Sequence, residues 1–196
     1  NLLRLPDGSK IWPRLSELRH QGIIQIKQFQ MIQKSVERMI SIVEDLESIS
    51  TLEHNEKNLQ IENFDIVDLC KSVQDSLEDK ANKSTISLAF DKEYSSIFVE
   101  ADKMKINQVL TNLIDNSIKY GKENGLTKMR FYDMDDAILV EVSDDGIGID
   151  EINLPRLSER FFRVEESRSR EKGGTGLGLS IVKHIIESHQ QTLNIR

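Results

Sequence analysis

The sequence predicts an α+β sandwich, a mixed sheet with helices on one face, preceded by a helical segment. Three observations predict it. From about residue 63 onward, stretches with apolar residues at helical period alternate with short β-prone runs. The composition, 38% hydrophobic and 30% charged with only 6% aromatic, is that of a globular chain with a mainly aliphatic core. A polar stretch at 54–63, HNEKNLQIEN, reads as a linker, so the 196 residues divide into a helical region at 1–56 and a second domain at 57–196.

The elements follow in order. Pro6, Asp7, Gly8 and Pro13 break any long helix in the first 20 residues. Beyond Ile23, Ile32, Val36, Met39, Val43 and Leu46 recur at spacings of 4, 3, 4 and 3, one helical stripe that Ile40, Ile42 and Ile49 widen. Such a helix cannot bury its stripe alone; its partner is either its own domain or a second copy of the chain. Asp65 suits a helix N-cap. After it, Ile66, Leu69, Cys70, Val73 and Leu77 mark an amphipathic helix with Cys70 on the buried face, a small core hydrophobe and not a nucleophile. Runs at 86–90 and 97–100 read as strands. A helix from Met104 to Tyr120 turns Ile106, Val109, Leu110, Leu113 and Ile114 inward and stops at Gly121. Runs at 128–132 and 137–143 form a hairpin, and Leu179, Val182, Ile185 and Ile186 mark a last helix.

Charge and cysteine content exclude several classes. With 26 basic against 33 acidic residues the net charge is −7, which argues against a general nucleic-acid binder. Cys70 is the only cysteine, so an intrachain disulfide and a Cys-rich zinc site are excluded. No apolar run is long enough to span a membrane.

Three segments carry chemistry. Asn112 and Asn116 are four residues apart, so their amides stack on one helical face, with Lys119 and Tyr120 a turn further on. Amide carbonyls are neutral oxygen ligands suited to a magnesium ion that keeps waters and is shared with phosphates; the alternative is a solvated helix face. Asp144-Asp145-Gly146-Ile147-Gly148-Ile149 follows a strand. Its glycines permit close backbone approach to a planar ligand. A carboxylate there accepts from the amino group of adenine, whereas the carbonyl of guanine leaves a buried charge unpaired, at roughly 1–3 kcal/mol. A plain Asp-Gly turn is the alternative. Gly173-Gly174-Thr175-Gly176-Leu177-Gly178-Leu179 runs into the last helix, where backbone N–H groups and the helix N-terminus make an anion site suited to a polyphosphate. It lacks the Walker A ending, and the alternative is a flexible linker that Leu177 and Leu179 argue against. Between the glycine stretches, Phe161 and Phe162 are placed to pin a loop. Arg163, Arg168, Arg170 and Lys172 could reach phosphate oxygens, on a long polar segment suited to a mobile lid; taken one at a time, each reads rather as part of a solvated charged loop.

Taken together and in this order, the segments resemble the catalytic ATP-binding domain of a sensor histidine kinase, within the wider ATP-binding fold of the Hsp90, gyrase and MutL ATPases. TNLIDNSIKYG resembles the N box, SDDGIGI the G1 box, SERFFRV the F box and GGTGLGLSIVKHII the G2 box, over about residues 63–189. VERMISIVEDLESISTLE resembles the second helix of the dimerisation and phosphotransfer domain, which makes 1–56 a partial or degenerate form of that domain. The resemblance implies a cytoplasmic two-component kinase core, either free or as the cytoplasmic portion of a membrane-bound sensor, that binds ATP and Mg2+. It further implies a homodimer through the helical segment and a response regulator receiver domain as partner. Asn116 would ligate magnesium with Asn112 beside it, and Lys119 would approach phosphate. Tyr120 would lie near the nucleotide. Asp144 would take the adenine amino group, with Gly146, Gly148 and Ile149 in the same box shaping the pocket. Gly174, Thr175, Gly176, Leu177 and Gly178 would cradle phosphates, and Arg163 to Lys172 would form the ATP lid.

The chain departs from the family at both ends. The acceptor motif, roughly HE[LI][RK]TP, is missing. If Leu3-Arg4-Leu5-Pro6 is set against its L-R-T-P, Asn1 falls at the acceptor position; His20, His54, His184 and His189 do not substitute for it. After His189 the family continues through glycines into a final hairpin, whereas Gln190-Gln191-Thr192 follows here, and the hairpin is expected to be missing. Two other readings stay open: a nucleotide-binding scaffold without its own acceptor that docks a response regulator, and a true ATPase. The related ATPases carry a Glu where Asn112 stands, and an amide cannot act as general base for water.

Overall fold

The computed structural model describes most of residues 26–47, residue 50, and residues 59–164 and 174–196. The chain forms two compact units, Asn1–Val43 and Glu44–Arg196. The described residues of the first unit are helical, and Ile32, Val36, Met39 and Val43 of the predicted stripe stand exposed. Among the described residues no helix is long and apolar enough to cross a membrane.

The second unit contains β1 (Ile61–Asp65), α1 (Ile66–Lys83), β2 (Ser87–Phe90), β3 (Phe98–Asp102), α2 (Lys103–Tyr120), β4 (Leu126–Asp133), β5 (Ile138–Asp144), a 3₁₀ turn (Glu151–Arg156) and α3 (Gly178–Ser188). The sheet is mixed: β2 pairs parallel with β4, and β4 pairs antiparallel with β5. β1 and β3 form a separate antiparallel ribbon. The sequence pattern resolved β2 to β5 but read residues 54–63, where β1 begins, as a linker; nor did it resolve this partition, because which edges meet depends on where α1 and α2 pack.

Strand β4 shows the period-2 logic. Thr127, Met129 and Phe131 are buried towards the helices, while Lys128 and Arg130 point outward, where Arg130 pairs with Glu141 and lies 3.7 Å from Asp91. A β-strand at 128–132 that alternates in this way can bury only one face, which puts the helices on that side.

Both N-caps do more than start helices. Asp65 Oδ1 accepts from Val67 N at 2.9 Å and from Ile97 N at 3.1 Å, so it caps α1 and holds the chain entering β3. Asp102 Oδ1 accepts from Lys105 N at 3.1 Å, and Oδ2 accepts from Gln60 N at 3.0 Å, so it caps α2 and holds the chain entering β1. Helix α2 ends at Gly121, as its sequence predicts.

Two apolar clusters result. The larger joins α1, the strands and one face of α2 through Ile66, Leu69, Val73, Leu110, Ile114, Met129 and Phe131. Cys70 is fully buried within it, 3.4 Å from Met129 Sδ, and burial pushes its thiol up to about 12, so the thiolate is not formed near neutral pH. The smaller cluster lies between α2 and α3 and consists of Val109, Leu177, Ile181, Val182 and Ile185. Each fully buried aliphatic side chain there stabilises the packing by about 1.5–3 kcal/mol. This second cluster brings the glycine-rich segment back onto α2.

Candidate functional site

The C-terminal half of α2, the end of β5 and the start of α3 converge. A Cβ on Gly178, the first residue of α3, would lie 3.1 Å from Asn112 Oδ1 and 3.8 Å from Asn116 Nδ2, so α3 begins directly over the stacked amides. Both asparagines are half-buried and carry no hydrogen bond among the described residues. Neutral amide oxygens so placed fit a hard divalent cation that retains waters. Among the described residues no group of three or more His, Cys, Asp or Glu side chains is placed to hold a metal ion.

Tyr120, at the end of α2, touches both glycine turns. Its carbonyl accepts from Ile147 N at 3.3 Å, and its hydroxyl lies 3.4 Å from where a Gly174 Cβ would stand. Arg163 Nη2 lies 3.8 Å from the same point. Its Nε and Nη2 are buried without a hydrogen-bond partner among the described residues. Buried, unsatisfied guanidinium nitrogens are costly, and an anion is the group that satisfies them best.

The strand-end turn separates the two adjacent acids. Asp145 is structural: its Oδ1 accepts from Leu126 N at 2.9 Å, and Lys122 lies 3.1 Å from Oδ2. The Leu126 hydrogen bond, then Lys122, hold its carboxyl below the ordinary carboxylate value. Asp144 Oδ1 accepts from Gly146 N at 2.9 Å, and its carboxylate is otherwise exposed. The sequence reading treated this charge as buried; here it is not, so discrimination against guanine arises only from the water a base displaces and belongs at the lower end of the range given above. Gly148 adopts φ +69, and Ile149 is exposed.

Lys119 does not stand free beside the asparagines. Its Nζ lies 2.7 Å from Asp115 Oδ2, and Lys80 holds the other oxygen of Asp115. Burial pushes the Asp115 carboxyl up, but the two lysines outweigh it and leave it below its ordinary value. Lys119 therefore takes part in an ion pair with the carboxylate one turn back, which stiffens α2.

In the glycine-rich segment, Phe161 N donates to Gly176 O at 2.9 Å, and both residues adopt positive φ, +63 and +77. The Phe pair therefore pins the segment through the Phe161 backbone, while Phe162 packs under Arg156, 4.2 Å from its ring centroid. Leu177 is fully buried in the smaller cluster. Its N–H donates to Thr175 Oγ1 at 3.2 Å. The Leu177 side chain thus anchors the segment, as its sequence position suggests. The Thr175 hydroxyl in turn donates to Asp45 at 2.7 Å. Arg168, Arg170 and Lys172 lie outside the described residues.

The sequence reading missed several participants. Ser117 and Thr127 share a fully buried hydrogen bond of 2.6 Å that ties α2 to β4 beneath the Asp144 strand end, and the pairing of Thr127 with Asp144 across the ladder puts it there. A serine on the inward face of α2 and a threonine on the inward face of β4 were the available signals. The Tyr120 carbonyl had none, because any residue supplies one.

Comparison with known proteins agrees with this arrangement. Residues 101–196 match the family model of histidine kinase-, DNA gyrase B- and HSP90-like ATPases. The chain is 37% identical over 143 residues to the sensor histidine kinase YkoH of Bacillus subtilis, covering 73% of this chain and 30% of that protein. It is 32% identical over 159 residues to the sensor histidine kinase WalK of the same organism, covering 80% of this chain and 26% of that one. It spans less than a third of the length of these two curated relatives. Among solved structures, the catalytic domain of histidine kinase ThkA superposes with a TM-score of 0.58 at 34% identity, covering 66% of this chain and 81% of that domain. A fold of mixed sheet and helices, a site at the meeting of α2, β5 and α3, and these relatives lead to one conclusion: the chain belongs to the sensor histidine kinase family and carries its catalytic ATP-binding domain.

Proposed function

We propose that the chain binds Mg-ATP between α2, the end of β5 and the start of α3, and transfers the γ-phosphate to a histidine as the kinase core of a two-component system. The observation that supports this reading is the pair of buried Arg163 nitrogens, Nε and Nη2, without a hydrogen-bond partner among the described residues, beside Gly174 and Tyr120 and close to the positive end of α3. Asp144 offers the adenine amino group an acceptor, and Gly146 keeps the wall flat. The α3 N-terminus and Arg163 take phosphate oxygens. Asn116, with Asn112, would hold a magnesium ion, whose chemistry is to neutralise phosphate charge.

Reaction type follows from what is lacking at Asn112. An amide there does not deprotonate water, whereas a neutral imidazole needs no base to attack. The imidazole nitrogen forms a bond to the γ-phosphorus, the bond from phosphorus to the β–γ bridging oxygen breaks, and ADP leaves with that electron pair. Catalysis then rests on positioning and charge neutralisation.

The wider assembly belongs to the same proposal. The exposed stripe on the helix within 26–47 suits pairing with a second copy, with 1–56 as the dimerisation region and 57–196 as the catalytic domain, acting in the cytoplasm. Histidine kinase ThkA has been solved in complex with the response regulator protein TrrA, a structure to which this chain is 30% identical with a TM-score of 0.65, over 84% of this chain and 45% of ThkA. A receiver domain is accordingly the proposed recipient of the phosphoryl group.

Calorimetry with Mg-ATP and Mg-GTP tests the pocket. The expected result is ATP binding that Asn116→Ala weakens in a magnesium-dependent way and a preference for ATP that Asp144→Asn reduces about tenfold. No heat with ATP at millimolar concentration sinks the reading. An acid-labile phosphoryl label on this chain, or on an added chain carrying an acceptor helix, tests the transfer; steady ATP turnover without any acceptor would point to an ATPase instead.

A further inference from the structure

We propose that His189 is a positioning residue of the nucleotide site, acting through the register of α3 on α2. The inference rests on the site reading above. Helices α2 and α3 run in opposite directions, and both ends of α3 contact α2 or its N-cap. At one end Gly178 meets Asn112 and Asn116. At the other, His189 Nε2 accepts from Asp102 N at 3.0 Å. The two spans match: the 11 residues of α3 and the 11 residues from Asp102 to Asn112 each cover about 16 Å.

Between these ends the contact is aliphatic, from Val109 to Leu177, Ile181, Val182 and Ile185. Aliphatic packing is non-directional and resists sliding along the helix axis weakly compared with a hydrogen bond. The His189 ring is fixed on both sides. Nδ1 lies 2.8 Å from Ile185 O, so it carries the proton and donates, which leaves Nε2 as the acceptor for Asp102. Asp102 is itself immobile, 7% exposed, with both carboxylate oxygens held by Lys105 N and Gln60 N. His189 thus ties the far end of α3 to the N-cap residue of α2. Because a helix is stiff along its axis, the clasp sets where the α3 N-terminus stands over the asparagines. A shift of about 1 Å there is enough to lower the efficiency of a phosphate site by orders of magnitude.

The test compares His189→Ala, which removes the acceptor, with His189→Gln, whose Oε1 can still accept from Asp102 N. The probes are the non-hydrolysable Mg-ATP analogue with a β–γ imido bridge, and adenosine. The alanine variant is expected to bind the analogue about tenfold more weakly while holding adenosine as the parent does, because the adenine contacts lie on β5, and the glutamine variant is expected to recover to within about twofold. Equal loss for both probes, no loss for either, or no recovery with glutamine overturns the proposal. Should the alanine variant not fold, hydrogen exchange at the Asp102 amide of the parent decides: coupling is reciprocal, so saturating analogue must slow it by a similar factor, and an unchanged rate overturns the proposal. A parent that binds no analogue at all overturns the site reading and this inference together, an outcome distinct from binding that is indifferent to His189.

Discussion

The two glycine turns look alike in sequence and are built on different physics. At the strand-end turn, Gly146 is a matter of room: a Cβ would stand 2.6 Å from Tyr120 O and 2.7 Å from Asp144 Oδ1. Two residues on, Gly148 has nothing within 4 Å and is a matter of conformation, with φ +69. In the turn before α3, Gly176 combines both, with φ +77 and a Cβ position 2.9 Å from the Phe161 carbonyl carbon. The first turn is held by contacts from α2 and β4 and presents a fixed wall. The second is held chiefly by one backbone hydrogen bond from Phe161 and by Leu177 as a buried peg. A planar base suits the first and a flexible polyphosphate chain the second.

Substitutions separate the cases. Gly146→Ala has the largest expected effect, about 2–3 kcal/mol of stability lost, because the Tyr120 backbone and the Asp144 carboxylate that it meets cannot both yield; an unchanged denaturation midpoint would contradict the packing argument. Gly176→Ala is expected next, at about 1–3 kcal/mol of local strain released by parting from Phe161. Its signature is faster amide exchange at Phe161 with little change at Met129, and uniform loss across the domain would erase the contrast between the turns. Asp115→Asn serves as a control on the helix that both turns share, with about 1–2 kcal/mol expected at pH 7. The folded carboxyl lies below its unfolded value of 3.8, so the contribution is complete above that pH and fades as pH falls through the lower folded value. Parent and variant stability curves should therefore converge in acid; a gap that persists there would exclude the charge as its source.

The smallest expected effects concern conformation alone. Gly148→Ala should cost about 1 kcal/mol, well short of Gly146→Ala, and equal costs would remove the distinction between room and conformation. Gln190 gives the reverse experiment. It sits at φ +57 just past α3, where Gln190 N donates to Glu187 O and Gln191 N donates to Ile186 O. That closing turn favours glycine, so Gln190→Gly is expected to raise stability by about 0.5–1 kcal/mol, read as a higher melting temperature.

Much of this was legible beforehand where the signal is local. Helical period placed α1, α2 and α3, the Asp65 cap and Gly121 stop marked the start of α1 and the end of α2, and the β4–β5 hairpin was read from its two β-prone runs. The paired amides, the strand-end acid and the glycine segment were all found as motifs. Less legible were roles decided by a neighbour distant in sequence. Asp144 and Asp145 are adjacent and chemically identical, and only the start of β4 selects Asp145 as the structural one. Lys119 reads as a free cation until Asp115 and Lys80 are seen around it.

By itself the sequence determined periodicity, caps and residue chemistry, because these depend on neighbours a few positions away along the chain. Only the tertiary structure decided which strand edges pair, that Arg163 Nε and Nη2 come to rest buried beside Gly174 and Tyr120, and that His189 meets Asp102 across 87 positions of chain. Such meetings depend on packing two aliphatic faces of α2 at once, because that packing brings residues distant in sequence within reach of directional contacts.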